Sequence, residues 1–138
     1  MPALVTLSLE DNLLVDRSLW FPANALNRLE ELRLGRNRMR ELSRDVISGL
    51  RNLRRLYLRS NGIETLPQGL FRATPRLDVV DLSANNISRL DRHAFNGKCL
   101  RQFCFCYTLF TGREIYSLLC RSHVLAIAMV GVSVSVTS

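Results

Sequence analysis

Four stretches of the chain share one spacing, L-x-x-L-x-L-x-x-N. They are "LVTLSLEDN" from Leu4, "LEELRLGRN" from Leu29, "LRRLYLRSN" from Leu53 and, with one valine for leucine, "LDVVDLSAN" from Leu77. Their first residues lie 25, 24 and 24 positions apart. A period in this range means one supersecondary unit stacked on copies of itself, so each unit buries its apolar side against its neighbours. Within "L-x-L" the leucines alternate, and a short strand sends them to one face and the intervening residues to the other. One such strand per unit predicts a parallel sheet with a continuous leucine core behind it.

The rest of each unit follows the same beat. Two residues after each asparagine stands an apolar side chain (Leu14, Met39, Ile63, Ile87), and the last three units add a leucine three further on (Leu42, Leu66, Leu90). Asn12, Asn37, Asn61 and Asn85 stand where the chain leaves the strand. There a side-chain amide can pair with backbone groups that have no ladder partner, and a structural asparagine ladder is expected. Ile47, Phe71 and Phe95 are expected to fill the back of the coil, together with Leu26 and Leu50. The first unit is irregular, with Trp20 and Phe21 side by side, and its extra residue belongs in this back loop. Pro67 and Pro75 argue for loops or short helical turns there rather than long helices.

These motifs resemble the leucine-rich repeat family, of the typical class of roughly 24 residues. Phrases such as "LYLRSNGIETLPQGLF" and "LDVVDLSANNISRLDRHAF" are similar to Toll-like, chaoptin-like and Slit-like ectodomains, and the likeness covers Leu4 to Cys99. It implies an α/β-type solenoid: a coil with a concave parallel β-sheet and a convex side of loops or short helices. It also implies binding of other macromolecules rather than catalysis, and an extracellular or cell-surface location. Extracellular members carry a signal peptide and a cysteine-bearing cap, whereas "MPALVTLSLEDN" opens three residues before a repeat strand. The expectation is therefore a fragment, a truncated gene model or a short isoform of a longer protein.

The domain reading divides the chain into a solenoid over residues 1–107, four repeats plus a partial fifth strand, and a divergent apolar tail over 108–138. Leu100, Phe103 and Phe105 satisfy a fifth register, but its step is 23 and Thr108 stands in place of asparagine. Cys99, Cys104, Cys106 and Cys120 allow three pairings. A C-x-C with a later cysteine is similar to the family's C-terminal caps, yet the Asn-Pro and tryptophan of such caps are missing. Unpaired cysteines are the favoured reading, with a cap second and zinc last. The tail "HVLAIAMVGVSVSVTS" has 13 uncharged residues from Val124 to Val136, short of the roughly 20 a membrane helix needs. Its alternation fits a β-strand or an aggregation-prone segment, and a lipid-anchor signal stays open. The leading reading is a non-native tail from a shifted frame or retained intron.

Function is expected on the outward strand residues. The chain carries a formal +7, and of its 19 basic residues only Lys98 is lysine. The arginines are scattered, which favours solvated surface over a nucleic-acid stripe. Lateral strand neighbours lie about 4.8 Å apart, so Arg33 is predicted beside Tyr57, Tyr57 beside Asp81, and Glu31 beside Arg55. The candidate ligand-binding patch is Arg33, Arg36, Arg54, Arg55, Tyr57, Arg59 and Asp81, because arginine and tyrosine are common interface anchors. The competing reading is a network of exposed charges worth little. Asn86 opens an N-x-S acceptor for N-glycosylation. The two histidines, His93 and His123, belong to no nucleophile, metal or acid–base set, and no glycine loop cradles a phosphate. No catalytic residue, cofactor or metal is assigned. The expected partner is a protein ligand or receptor; nucleic acid is disfavoured, and a membrane enters through the missing parent regions or the apolar tail. The alternatives are a truncated product without independent function and an arginine-patch binder of polyanions or nucleic acid.

Overall fold

The computed structural model describes residues 4–15, Leu19, Phe21 and 25–87, and beyond them the backbone of three strands at 102–104, 126–129 and 132–135. Strands β1 (Thr6–Ser8), β2 (Glu31–Arg33), β3 (Arg55–Tyr57), β4 (Val79–Asp81), β5 (Gln102–Cys104), β6 (Ala126–Met129) and β7 (Val132–Ser135) form one sheet in sequence order. Pairing is parallel from β1 to β6, and β6 with β7 is antiparallel. The register runs Leu7, Leu32, Leu56, Val80, Phe103, Ile127. Parallel strands need a crossover connection, and between β2, β3 and β4 each connection is the remainder of one repeat. The division expected between residues 107 and 108 lies outside the described residues, as do Phe95, Leu90, Trp20 and the side chains of all four cysteines.

The leucines of the repeat make the core. Leu29, Leu32 and Leu34, then Leu53, Leu56 and Leu58, and then Leu77, Val80 and Leu82 are all buried. Met39, Leu42, Ile63 and Ile87 close the space behind them. Each such side chain contributes about 1.5–3 kcal/mol relative to exposure, and stacking makes the contribution collective.

The back of the coil is short, as the prolines require. Helix α1 (Arg44–Ile47) is a single turn, capped by Ser43, whose hydroxyl accepts from the Asp45 N–H at 3.2 Å. Its apolar pair Val46 and Ile47 faces inward, with Leu50 behind. In the next unit a 3₁₀ turn, Leu70–Ala73, takes its place between Pro67 and Pro75, entered through Gly69 at φ 68°. That left-handed conformation suits glycine. Phe71 from this turn is fully buried, and it occupies the position of Ile47 one repeat later.

Strands β1 to β4 each leave the sheet through a residue with positive φ placed one before the asparagine: Asp11, Arg36, Ser60 and Ala84, at 58°, 52°, 57° and 54°. The backbone N–H of Arg36 then donates to Arg59 O at 2.8 Å, and that of Ser60 to Ser83 O at 3.0 Å. The asparagines complete the turn. Asn61 donates from Nδ2 to Leu34 O and to Leu58 O, both at 3.0 Å, while its Oδ1 accepts from the Met39 N–H at 3.2 Å. Asn85 repeats this with Leu58 O, Leu82 O and the Ile63 N–H, and Asn37 with Leu9 O, Leu34 O and the Leu14 N–H. Asn12 is exposed and bonds only to Leu9 O and Glu10 O of its own unit. It lies in the first described repeat, where β1 has a single neighbour and Leu13 is 71% exposed.

Candidate functional site

The strand positions that do not face the core form three lateral rows. One holds Thr6, Glu31, Arg55 and Val79; the next holds Ser8, Arg33, Tyr57 and Asp81. Two residues on, Glu10, Gly35, Arg59 and Ser83 continue the alternation, and a Cβ on Gly35 would lie 3.0 Å from Glu10 Oε1 and 3.3 Å from Arg59 O. Glycine here lets the Glu10 carboxylate and the Arg59 carbonyl approach the backbone closely.

Glu31 organises the centre. It is only 7% exposed, and its two carboxylate oxygens are divided between two arginines. Arg33 Nε donates to Oε1 at 2.5 Å, and Arg55 Nε donates to Oε2 at 2.7 Å. The Arg33 hydrogen bond is the main reason the Glu31 carboxyl is held below its ordinary value of 4.5. Burial opposes this and the Arg55 bond adds to it. A buried carboxylate without partners would instead be pushed up. Arg33 also sits over the Tyr57 ring, its guanidinium carbon 5.2 Å from the centroid, a cation–π contact.

The remaining patch residues divide. Arg36 is diverted from the strand rows: its Nε and Nη2 donate to Asp11 Oδ1 and Oδ2 at 2.5 and 2.7 Å, a bidentate pair that lowers the Asp11 pKa. Asp81 is turned into its own bend, where Oδ1 accepts from the Ser83 N–H at 2.9 Å and the Ser83 hydroxyl at 2.5 Å. Arg54 and Arg59 are exposed, and neither forms an ion pair with any described residue. Asn86 is exposed, while Ser88 of its acceptor triplet lies outside the described residues. Glu31 is the residue that patch selection by arginine and tyrosine passes over. Its lateral neighbour Arg55 and its strand neighbour Arg33, two positions on, were the signal that could have found it.

Elsewhere, an open groove of about 410 Å³ on the back is lined by Glu41, Leu42, Ser43, Arg44, Asp45 and Pro67. Among the described residues no group of three or more His, Cys, Asp or Glu side chains could hold a metal, and no helix is long and apolar enough to cross a membrane.

Comparison with known proteins agrees with this geometry. The family model described as Leucine rich repeat matches residues 2–63 and 51–102, well over half of the chain. Leucine-rich repeat-containing protein 3B of Danio rerio is 42% identical over 65 residues, 46% of this chain and 25% of that protein. Chaoptin of Tribolium castaneum is 38% identical over 65 residues, 45% of this chain and 8% of its own length. The chain therefore spans a quarter or less of either relative. Among solved structures, the TLR13–ssRNA13 complex superposes with a TM-score of 0.66 at 23% identity, covering 80% of this chain and 16% of that one. That neighbour was solved with single-stranded RNA, so the likeness lends no weight to the discounting of nucleic acid made from scattered arginines. A repeat coil with one parallel strand per unit, an asparagine at each turn from β1 to β4 and a matching family model have a single reading: the chain belongs to the leucine-rich repeat family.

Proposed function

We propose that the chain is a non-catalytic, protein-binding repeat module that receives a protein ligand on its exposed sheet face, as part of an extracellular receptor or adhesion ectodomain. The observation that carries this reading is the row Arg33, Tyr57, Asp81, with the Arg33 guanidinium over the Tyr57 ring. A guanidinium and an aromatic ring held in register on a rigid sheet supply contact area with little ordering left to lose, the property that makes arginine and tyrosine frequent anchors. The resemblance to Toll-like, chaoptin-like and Slit-like ectodomain repeats supports the location.

The second reading, a polyanion or nucleic-acid binder, draws on the arginine excess and on the RNA-bound TLR13 neighbour. The test is to probe an array of secreted and cell-surface ectodomains with the full chain. Binding that is lost in Tyr57→Ala and Arg33→Ala, kept in the back-side control Arg44→Ala, and tolerant of salt is the expected result. Binding unaffected by either sheet-face change refutes the proposed surface. Binding of single-stranded RNA that collapses steeply with salt transfers the function to the second reading.

A further inference from the structure

We propose that Arg33 and Arg55, braced by Glu31, form a preset anchor for a single carboxylate side chain of a protein partner. This deepens the sheet-face reading and rests on it. Both arginines reach Glu31 through Nε, and neither donates from an Nη to any described residue. The Nη ends, which make the planar fork that matches a carboxylate bidentately, are therefore left over. They are also positioned in advance. Glu31 holds both through its carboxylate, more than nine-tenths buried, and the Tyr57 ring packs against the Arg33 guanidinium at 5.2 Å. Ordering two long side chains is an association cost that this face has already met in the free protein.

Charge accounting selects the occupant. Two guanidinium groups share one carboxylate, so the centre lacks one negative charge. The surrounding face does not extend that excess. Glu10, Asp11, Glu30, Glu31, Asp78 and Asp81 on the strands and their flanks stand against five arginines, although the whole chain is +7. A polyanion would meet a nearly balanced field, whereas one carboxylate meets a local, short-range complement. An aspartate or glutamate of a protein ligand has that chemistry.

The test uses the uniformly ¹⁵N-labelled full chain. Two acetylated, amidated hexapeptides are titrated in, identical except for one central glutamate or glutamine beside an aromatic residue. The glutamate peptide is expected to give saturating shifts of the Arg33 and Arg55 Nε–H signals, with at least tenfold weaker binding for the glutamine twin. Replacing both arginines by lysine keeps the charge and removes the fork, and is expected to weaken binding tenfold or more. Glu31→Gln is expected to weaken it as well, although it makes the face more positive. Equal affinity for the two peptides, or tighter binding by Glu31→Gln, overturns the anchor. If the glutamine peptide still moves the backbone signals of Tyr57 and Val79, the anchor falls and the sheet-face reading stands. If only back-side signals move, both fall. A decameric oligouridylate that binds more tightly than the glutamate peptide, with a steep salt dependence, assigns the arginines to nucleic acid and also overturns the proposal.

Discussion

Replacing Asn85 with alanine removes the most enclosed member of the turn row, a side chain only 3% exposed. Its Nδ2 donates to Leu58 O at 2.9 Å, Leu82 O at 3.0 Å and Ser83 O at 3.2 Å, and its Oδ1 accepts from the Ile63 N–H at 3.1 Å. A hydrogen bond is worth about 0.5–1.5 kcal/mol net, and a buried group left without a partner costs about 1–3 kcal/mol. Allowing for partial relaxation and water entry, the expected loss is about 3–4 kcal/mol, a large share of the roughly 5–15 kcal/mol a domain has. The same change at exposed Asn12, which bonds only within its own unit, should cost about 0.5 kcal/mol or less. Urea unfolding followed by far-ultraviolet circular dichroism separates them. With a slope of about 2 kcal/mol per molar, Asn85→Ala should lower the midpoint by about 1.5–2 M. Asn85→Asp sharpens the test. It keeps an acceptor for Ile63 but sets a carboxylate against three carbonyl oxygens, which raises its native pKa. That variant should regain stability as pH falls through the raised value, and the alanine variant should not. Losses for Asn85→Ala and Asn12→Ala that agree within about 0.5 kcal/mol would refute the account of these turns.

Three further outcomes are expected. Ala84→Gly should raise stability by about 0.5–1 kcal/mol, because Ala84 holds φ at 54°, which costs a non-glycine residue more than the chain entropy that glycine adds. Conversely Gly69→Ala, at φ 68°, should lower it by about 1 kcal/mol; thermal midpoints read both. Glu31, held below its ordinary 4.5, stabilises the fold above that value, and the contribution is lost as pH falls through the lower native one. Glu31→Gln should therefore reduce stability near neutral pH and leave a shallower acid limb, measured as thermal midpoints across the acid range.

The lateral rows of the sheet were legible because a parallel ladder fixes which positions meet once the period is known. Arg33 beside Tyr57 and Glu31 beside Arg55 need nothing beyond the 24-residue step between β2 and β3. Side-chain direction was not legible. Arg36 belongs to the patch by position, yet its positive φ swings it onto Asp11, the equivalent residue one unit earlier. Aspartate, arginine, serine and alanine at that position carry no shared signal for a left-handed turn. Asp81 likewise reads as a partner for Tyr57 but closes onto Ser83, two residues away, where a short side chain finds a backbone N–H first. The burial of Glu31 was hidden for another reason. A charged residue in an outward row reads as solvated, whereas Glu31 is buried and paired with two arginines.

One turn also bears on how the molecule ages. Asn61 is followed by Gly62. In a mobile chain the amide nitrogen of such a glycine attacks the asparagine side-chain carbonyl carbon, expels ammonia and closes a succinimide that water opens to aspartate or isoaspartate. In the fold that nitrogen donates to Met39 O at 2.8 Å, and the Asn61 amide is held at both ends. The native state thus shields this link, and Asn61 reacts only in molecules that unfold; a second Asn-Gly pair, Asn96-Gly97, lies outside the described residues. Once converted, an aspartate at position 61 presents oxygen to the Leu34 and Leu58 carbonyls and cannot restore the turn. Time spent unfolded is written irreversibly into the middle of the coil. Peptide mapping of samples aged in and out of urea would read that record.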